Sequence, residues 1–143
     1  LANLVNLTQL DLGFNQISNI DALENLINLT ELDLSGNQIT ETSSLVNLHN
    51  LKELNLGKNQ INDIHVLANL PSLTILHLDE NNIDDINVLS SLLEFLKDLT
   101  WLDISYNPIH LDDIIWLEEQ FPNCEIRFEY DIEDSNDDES WLE

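Results

Sequence analysis

One phrase, L-x-x-L-x-L-x-x-N, recurs along the chain and constrains it more than anything else. It opens at Leu7, Leu29, Leu51, Leu73 and Leu99, in steps of 22, 22, 22 and 26 residues. A fixed period of this length marks a stack of like units, each too small to bury its own apolar face. The last two leucines of L-x-x-L-x-L alternate at period two, which predicts a short strand with one buried side. The second half of each unit, I-x-x-I-x-x-L-x-x-L, returns the apolar stripe inward at near-helical spacing. In the third unit these residues are Ile61, Ile64, Leu67 and Leu70. Seven apolar positions per coil therefore depend on the neighbouring coils for cover.

The asparagine that closes each phrase stands where the chain must turn. Its side chain can bond backbone groups that the turn leaves unpaired. Asn15, Asn37, Asn59, Asn81 and Asn107 are thus expected to form a ladder inside the stack. Two departures break the pattern. Thr42 replaces an Ile in the second unit, and a buried hydroxyl there needs a partner. The fourth unit carries four extra residues, and SSLLEFLKD (residues 90–98) reads as a longer helical bulge on the convex side. Phe95 and Leu96 are expected to close this larger coil.

The phrases resemble the leucine-rich-repeat family, in the 22-residue class of bacterial internalin-like proteins and certain phosphatase-regulating proteins. The resemblance spans about residues 1–128. It implies an α/β fold, a right-handed solenoid with a curved parallel sheet on the concave side and short helical or irregular turns on the convex side. In internalin-like relatives the concave face commonly receives the partner, which implies a location only.

The expected organisation has three parts. Residues 1–107 hold the repeats, beginning with a partial one at 1–6. Residues 108–128 form a C-terminal cap. There Asp112 and Asp113 suit a helix start, and Ile115, Trp116 and Leu117 supply apolar surface. Pro122 stops the helix, and Cys124, Ile126 and Phe128 alternate as a last strand. Residues 129–143 hold eight acidic side chains and no basic one, and are expected to be disordered, with Trp141 and Leu142 the end of the run. The chain begins without Met and in mid-pattern, so whether preceding repeats or a leader were removed stays open.

Composition narrows the partners. Against 28 Asp and Glu there are four basic residues, a formal charge of -24. Such a surface repels phosphate backbones and anionic headgroups, so nucleic acid is a poor partner and a basic or mixed protein a better one. No apolar run is long enough to span a membrane. Compartment stays open between cytoplasm and cell surface or secretion, and a monomer is expected. One cysteine, Cys124, excludes an intramolecular disulfide and is expected to be a buried cap residue. The four His are scattered, no nucleophile or phosphate-loop motif occurs, and the Asp pairs lack the spacing of a calcium loop. No catalytic residue, metal site or cofactor is assigned, and an enzyme is not expected.

Binding surface, by contrast, follows from the repeat. With the leucines pointing in, the variable letters point out of the sheet. The third letter gives Gln9, Glu31, Glu53, Ile75 and Trp101, and the fifth gives Asp11, Asp33, Asn55, His77 and Asp103. The eighth gives Phe14, Gly36, Lys58, Glu80 and Tyr106. The partner-binding candidates are Trp101, Tyr106, Ile75, His77 and Phe14, with Asp11, Glu31, Asp33, Glu53 and Asp103 as an acidic field. Trp and Tyr on a polar face are typical interface anchors. Three readings remain: a protein-binding module using its concave face, a structural spacer in a larger surface protein, or an acidic neutraliser of a basic toxin or nuclease.

Overall fold

A computed structural model describes residues 4–130. Each L-x-x-L-x-L phrase forms a three-residue strand: β1 Gln9–Asp11, β2 Glu31–Asp33, β3 Glu53–Asn55, β4 Ile75–His77 and β5 Trp101–Asp103, joined by β6 Glu125–Arg127 from the cap. The six lie in sequence order in one parallel sheet. The register is that of the repeat, with Leu10, Leu32, Leu54, Leu76, Leu102 and Ile126 aligned. Every connection is a whole coil, as parallel neighbours require.

The leucines and isoleucines from Ile20 to Ile126 make one continuous core. Leu10 departs from expectation. It and Leu7, Leu12 and Ile17 are only partly buried, because among the described residues the first coil has a neighbour on one side alone. Thr42 is buried, and its hydroxyl reaches the Asp63 carbonyl at 3.4 Å, so the next coil supplies the partner it needs.

The asparagine ladder is present and reciprocal. Asn37, Asn59, Asn81 and Asn107 are buried. The Asn81 amide donates to the Leu78 carbonyl at 3.1 Å and to Leu56, one coil earlier, at 2.9 Å, while its Oδ1 accepts the Ile61 N–H at 2.9 Å. Asn15 differs: it is exposed, and among the described residues its amide bonds only its own coil, at Leu12 and Gly13. A second ladder runs beside the sheet. The hydroxyls of Thr30, Thr74 and Thr100 donate to the carbonyls of Thr8, Lys52 and Thr74, the second-letter residues one coil earlier, at 3.0–3.1 Å.

On the convex side the first three coils make short 3-10 turns at Asp21–Leu23, Ser43–Leu45 and His65–Asn69. The extra residues of the fourth coil lengthen this to a true helix, α1 Ile86–Phe95, which starts earlier than the bulge read from the sequence. The reason is Asp85, whose carboxylate accepts the Asn87 N–H at 2.8 Å and caps the helix there. Leu96 packs inside, but Phe95 stands 66 % exposed and does not close the coil.

The cap contains α2 Leu111–Gln120 before β6. Its buried side chains are Ile114 and Leu117, three apart on one face. Ile115 and Trp116, expected to pack, point outward instead. Cys124 and Ile126 are buried as expected. Glu129 and Tyr130, assigned to the acidic tail, still contact the solenoid: the Tyr130 ring lies 5.9 Å from that of Phe128. The rest of the tail, including Trp141 and Leu142, lies outside the described residues.

Candidate binding face

The sheet positions the third and fifth letters side by side across the coils, because neighbouring strands keep one register. Over the first three coils the face is acidic. Gln9, Asp11, Glu31, Asp33, Glu53 and Asn55, with Leu10 and Leu32 beneath, line an open hollow of about 450 Å³. Glu31 and Glu53 are exposed register neighbours. The third column then turns apolar, with Ile75 and Trp101 adjacent in register and both half-buried.

The fifth column has a duty the alternation did not reveal. Asp11, Asp33, Asn55 and Asp103 each use Oδ1 to accept the backbone N–H two residues on, at Gly13, Ser35, Gly57 and Ser105, at 2.8–3.0 Å. These are Asx turns that end the strands. Asp103 is moreover buried, with Arg127 Nη1 3.8 Å from its Oδ2. Its place in an exposed acidic field is therefore weaker than that of Asp11.

The eighth letter lies past the strands, in the turn that leads to the asparagine. Phe14, Gly36, Lys58, Glu80 and Tyr106 all have positive φ, from 49° to 63°. They form a rim past the ends of the strands, and each reaches a neighbouring coil. The Phe14 ring lies over Gly36, so a methyl group there would approach its Cδ1 to 2.6 Å. Lys58 and Glu80 form a salt bridge at 2.9 Å, which raises the lysine pKa through that hydrogen bond and the glutamate charge. Tyr106 donates its hydroxyl to Glu129 at 2.8 Å. Glu129 also binds Arg127 at 2.6 Å, and the Arg127 hydrogen bond, then that of Tyr106, pulls its carboxyl below the usual range. Phe14, at the opposite end of the rim, is not near Tyr106 in coil order; it is 76 % exposed.

The fourth coil breaks the fifth-column rule. Its strand ends in His77, and the carboxylate comes two residues later, at Asp79. Asp79 folds back over Gly57, where any Cβ would collide with its carboxylate. His77, Asp79 and Asp103 each bring one ligating atom within 4.8 Å of the others. Burial, and next the nearby Asp103 charge, pushes the Asp79 carboxyl above its usual range. No compact motif announces this group, since Asp103 arrives from another coil; the one local signal is H-x-D at residues 77–79.

Cys124 sits in a separate cleft between α1 and α2, lined by Leu96, Phe121 and Pro122. Burial pushes its thiol up to about 11. Among the described residues, no helix is long and apolar enough to cross a membrane.

Comparison with known proteins agrees with this architecture. The family model for leucine-rich repeats (2 copies) matches three overlapping stretches, residues 5–47, 27–69 and 49–91. Among solved structures, internalin C2 from Listeria monocytogenes is 37 % identical with a TM-score of 0.77, over 89 % of this chain and 54 % of that one. A leucine-rich-repeat protein from Leptospira interrogans is 28 % identical, TM-score 0.71, over 89 % of this chain and 38 % of its own. A second Listeria monocytogenes internalin is 26 % identical, TM-score 0.59, over 90 % of this chain and 49 % of its own. The chain thus spans about half or less of the length of these structures. A search of curated proteins finds no match. Repeat period, parallel register, asparagine ladder and family match agree, and the chain belongs to the leucine-rich-repeat family.

Proposed function

We propose that this chain is a protein-binding module that receives a basic or mixed partner on the concave face of its sheet. Leucine-rich-repeat domains are typically binding scaffolds without catalytic activity. The observation that carries the reading is the change of character along one open face. Exposed Glu31 and Glu53 give way, in the same column, to Ile75 and Trp101. A half-buried Trp offers apolar area for a partner to desolvate, and the acidic coils supply a field that steers a basic ligand. Ile75, Trp101 and His77 are the contact residues at the C-terminal coils, with Tyr106 and Phe14 on the rim. Asp11, Glu31, Asp33 and Glu53 form the acidic field, with Asp103 a minor member because it is buried and faces Arg127.

The test is capture from the source lysate with the wild-type chain and with Trp101→Ala, at low and high salt. Binding through the face requires loss of the captured protein in the variant and weakening in high salt. Capture that is indifferent to Trp101 and to salt would return the chain to the spacer reading.

A further inference from the structure

We propose that His77, Asp79 and Asp103 form a binding site for a first-row divalent cation of the zinc type, joining the fourth and fifth coils at the sheet face. The site shares His77 and Asp103 with the proposed binding face, but it rests on its own geometry and needs no protein partner. An imidazole nitrogen and two carboxylate oxygens lie within 4.8 Å of one another, contributed by two coils. Donors around one tetrahedral zinc sit about 3.3–3.6 Å apart, given bonds of about 2.0–2.2 Å, so a side-chain adjustment of about 1 Å would seat the ion. One nitrogen with two oxygens suits zinc and its neighbours better than calcium, which takes six to eight oxygens.

A second observation points the same way. Ser105 is 2 % exposed, and its hydroxyl has no hydrogen-bond partner among the described residues. The equivalent hydroxyl in the second coil, Ser35, donates to Asp33 at 2.6 Å. Seventh-letter side chains lean toward the preceding coil. A methyl group at Gly13 would lie 3.2 Å from Ser35 Oγ, and one at Gly57 would meet the Asp79 carboxylate. In that column Ser105 follows Asp79 by one coil, and its own N–H already holds Asp103 at 3.0 Å. A buried hydroxyl without a partner is costly, and a cation with its bound water answers it. The surroundings fit as well. Two carboxylates, those of Asp79 and Asp103, each bring an oxygen within 4.8 Å of the other. Two cations stand near the group, and each is held by another carboxylate: Arg127, 3.8 Å from Asp103, binds Glu129 at 2.6 Å, and Lys58, which feels the Asp79 charge, binds Glu80 at 2.9 Å. The break in the column, His at the fifth letter and Asp at the seventh, is what assembles the group.

The experiment uses the full 143-residue chain, stripped with EDTA and dialysed. Zn²⁺ is titrated by calorimetry, Co²⁺ by its visible absorption, and Ca²⁺ as a control. The expected result is one equivalent of Zn²⁺ distinct from the weak, diffuse binding of a chain of charge -24, with a Co²⁺ band and far weaker Ca²⁺ binding. His77→Gln and Asp79→Asn should each weaken that equivalent about tenfold or more, while Asp11→Asn, in the fifth column of the first coil, leaves it unchanged. Circular dichroism of both variants, which keep side chains of similar size, separates loss of the site from loss of the fold. Absence of a stoichiometric equivalent, its persistence in both variants, or equal affinity for Ca²⁺ would overturn the proposal.

Discussion

Asn59 holds two coils at once: its Oδ1 accepts the Ile39 N–H at 3.0 Å, twenty residues back, while its amide donates to the Leu34 and Leu56 carbonyls, each at 3.0 Å. All of these groups are buried. Replacing Asn59 with alanine orphans them, so Asn59→Ala should lower stability by about 1–3 kcal/mol in chemical denaturation. Asn62→Ala, at an exposed position, should be nearly silent. Asn15→Ala should fall between, because Asn15 is exposed and among the described residues bonds only its own coil. Equal losses at positions 59 and 62 would refute the ladder.

Leu54 is fully buried in β3, between aligned leucines of β2 and β4. Leu54→Ala should cost about 2–5 kcal/mol, from lost transfer energy and the cavity left behind. Phe95→Ala removes a larger side chain, yet this ring is 66 % exposed. Its effect should stay within about 0.5 kcal/mol. Urea denaturation of the two variants in parallel checks the contrast.

Gly36 combines a φ of 63° with the Phe14 ring against its backbone. Gly36→Ala should therefore destabilise by about 1–3 kcal/mol, from left-handed backbone strain and ring contact together. Phe14→Ala in the same chain should restore only the contact part. Full restoration in the double variant would show that backbone strain contributes nothing.

The Cys124 thiol, pushed up to about 11 and buried in the cap, should react with iodoacetamide very slowly at pH 8. Denaturant should bring the rate up to that of a free thiol. Fast labelling of the folded chain, followed by mass spectrometry, would place Cys124 outside the core.

Partner binding should separate into two effects once a partner is in hand. Trp101→Ala should weaken affinity by about 2 kcal/mol or more, mainly through faster dissociation. Glu31→Lys with Asp33→Lys should mainly slow association and flatten its salt dependence. Surface plasmon resonance at two salt concentrations reads both. Binding abolished by convex changes at Asn19 or Ser43, but intact in Trp101→Ala, would move the interface off the sheet.

The coil, the strand register and the asparagine ladder were legible in the chain alone, because each is written locally and repeated at a fixed period. Leu54 could only face inward once Leu32 and Leu76 stood 22 residues to either side. The family resemblance rested on the same redundancy. Outward side chains carry no such repetition, and their roles were decided by contacts between coils. Alternation places Asp33 on the face, but only the folded turn shows it capping the Ser35 N–H. The eighth letter reads as part of the sheet surface until the left-handed turn moves Phe14 and Tyr106 to the rim. In α2, a helical run of Ile114, Ile115, Trp116 and Leu117 leaves the buried face undetermined until the helix docks. His77, Asp79 and Asp103 become neighbours only through stacking across a coil that is four residues longer than the three before it. Inward positions are dictated by the shared need to exclude water, which every coil meets in the same way; outward positions answer to distances that exist only after the coils are stacked.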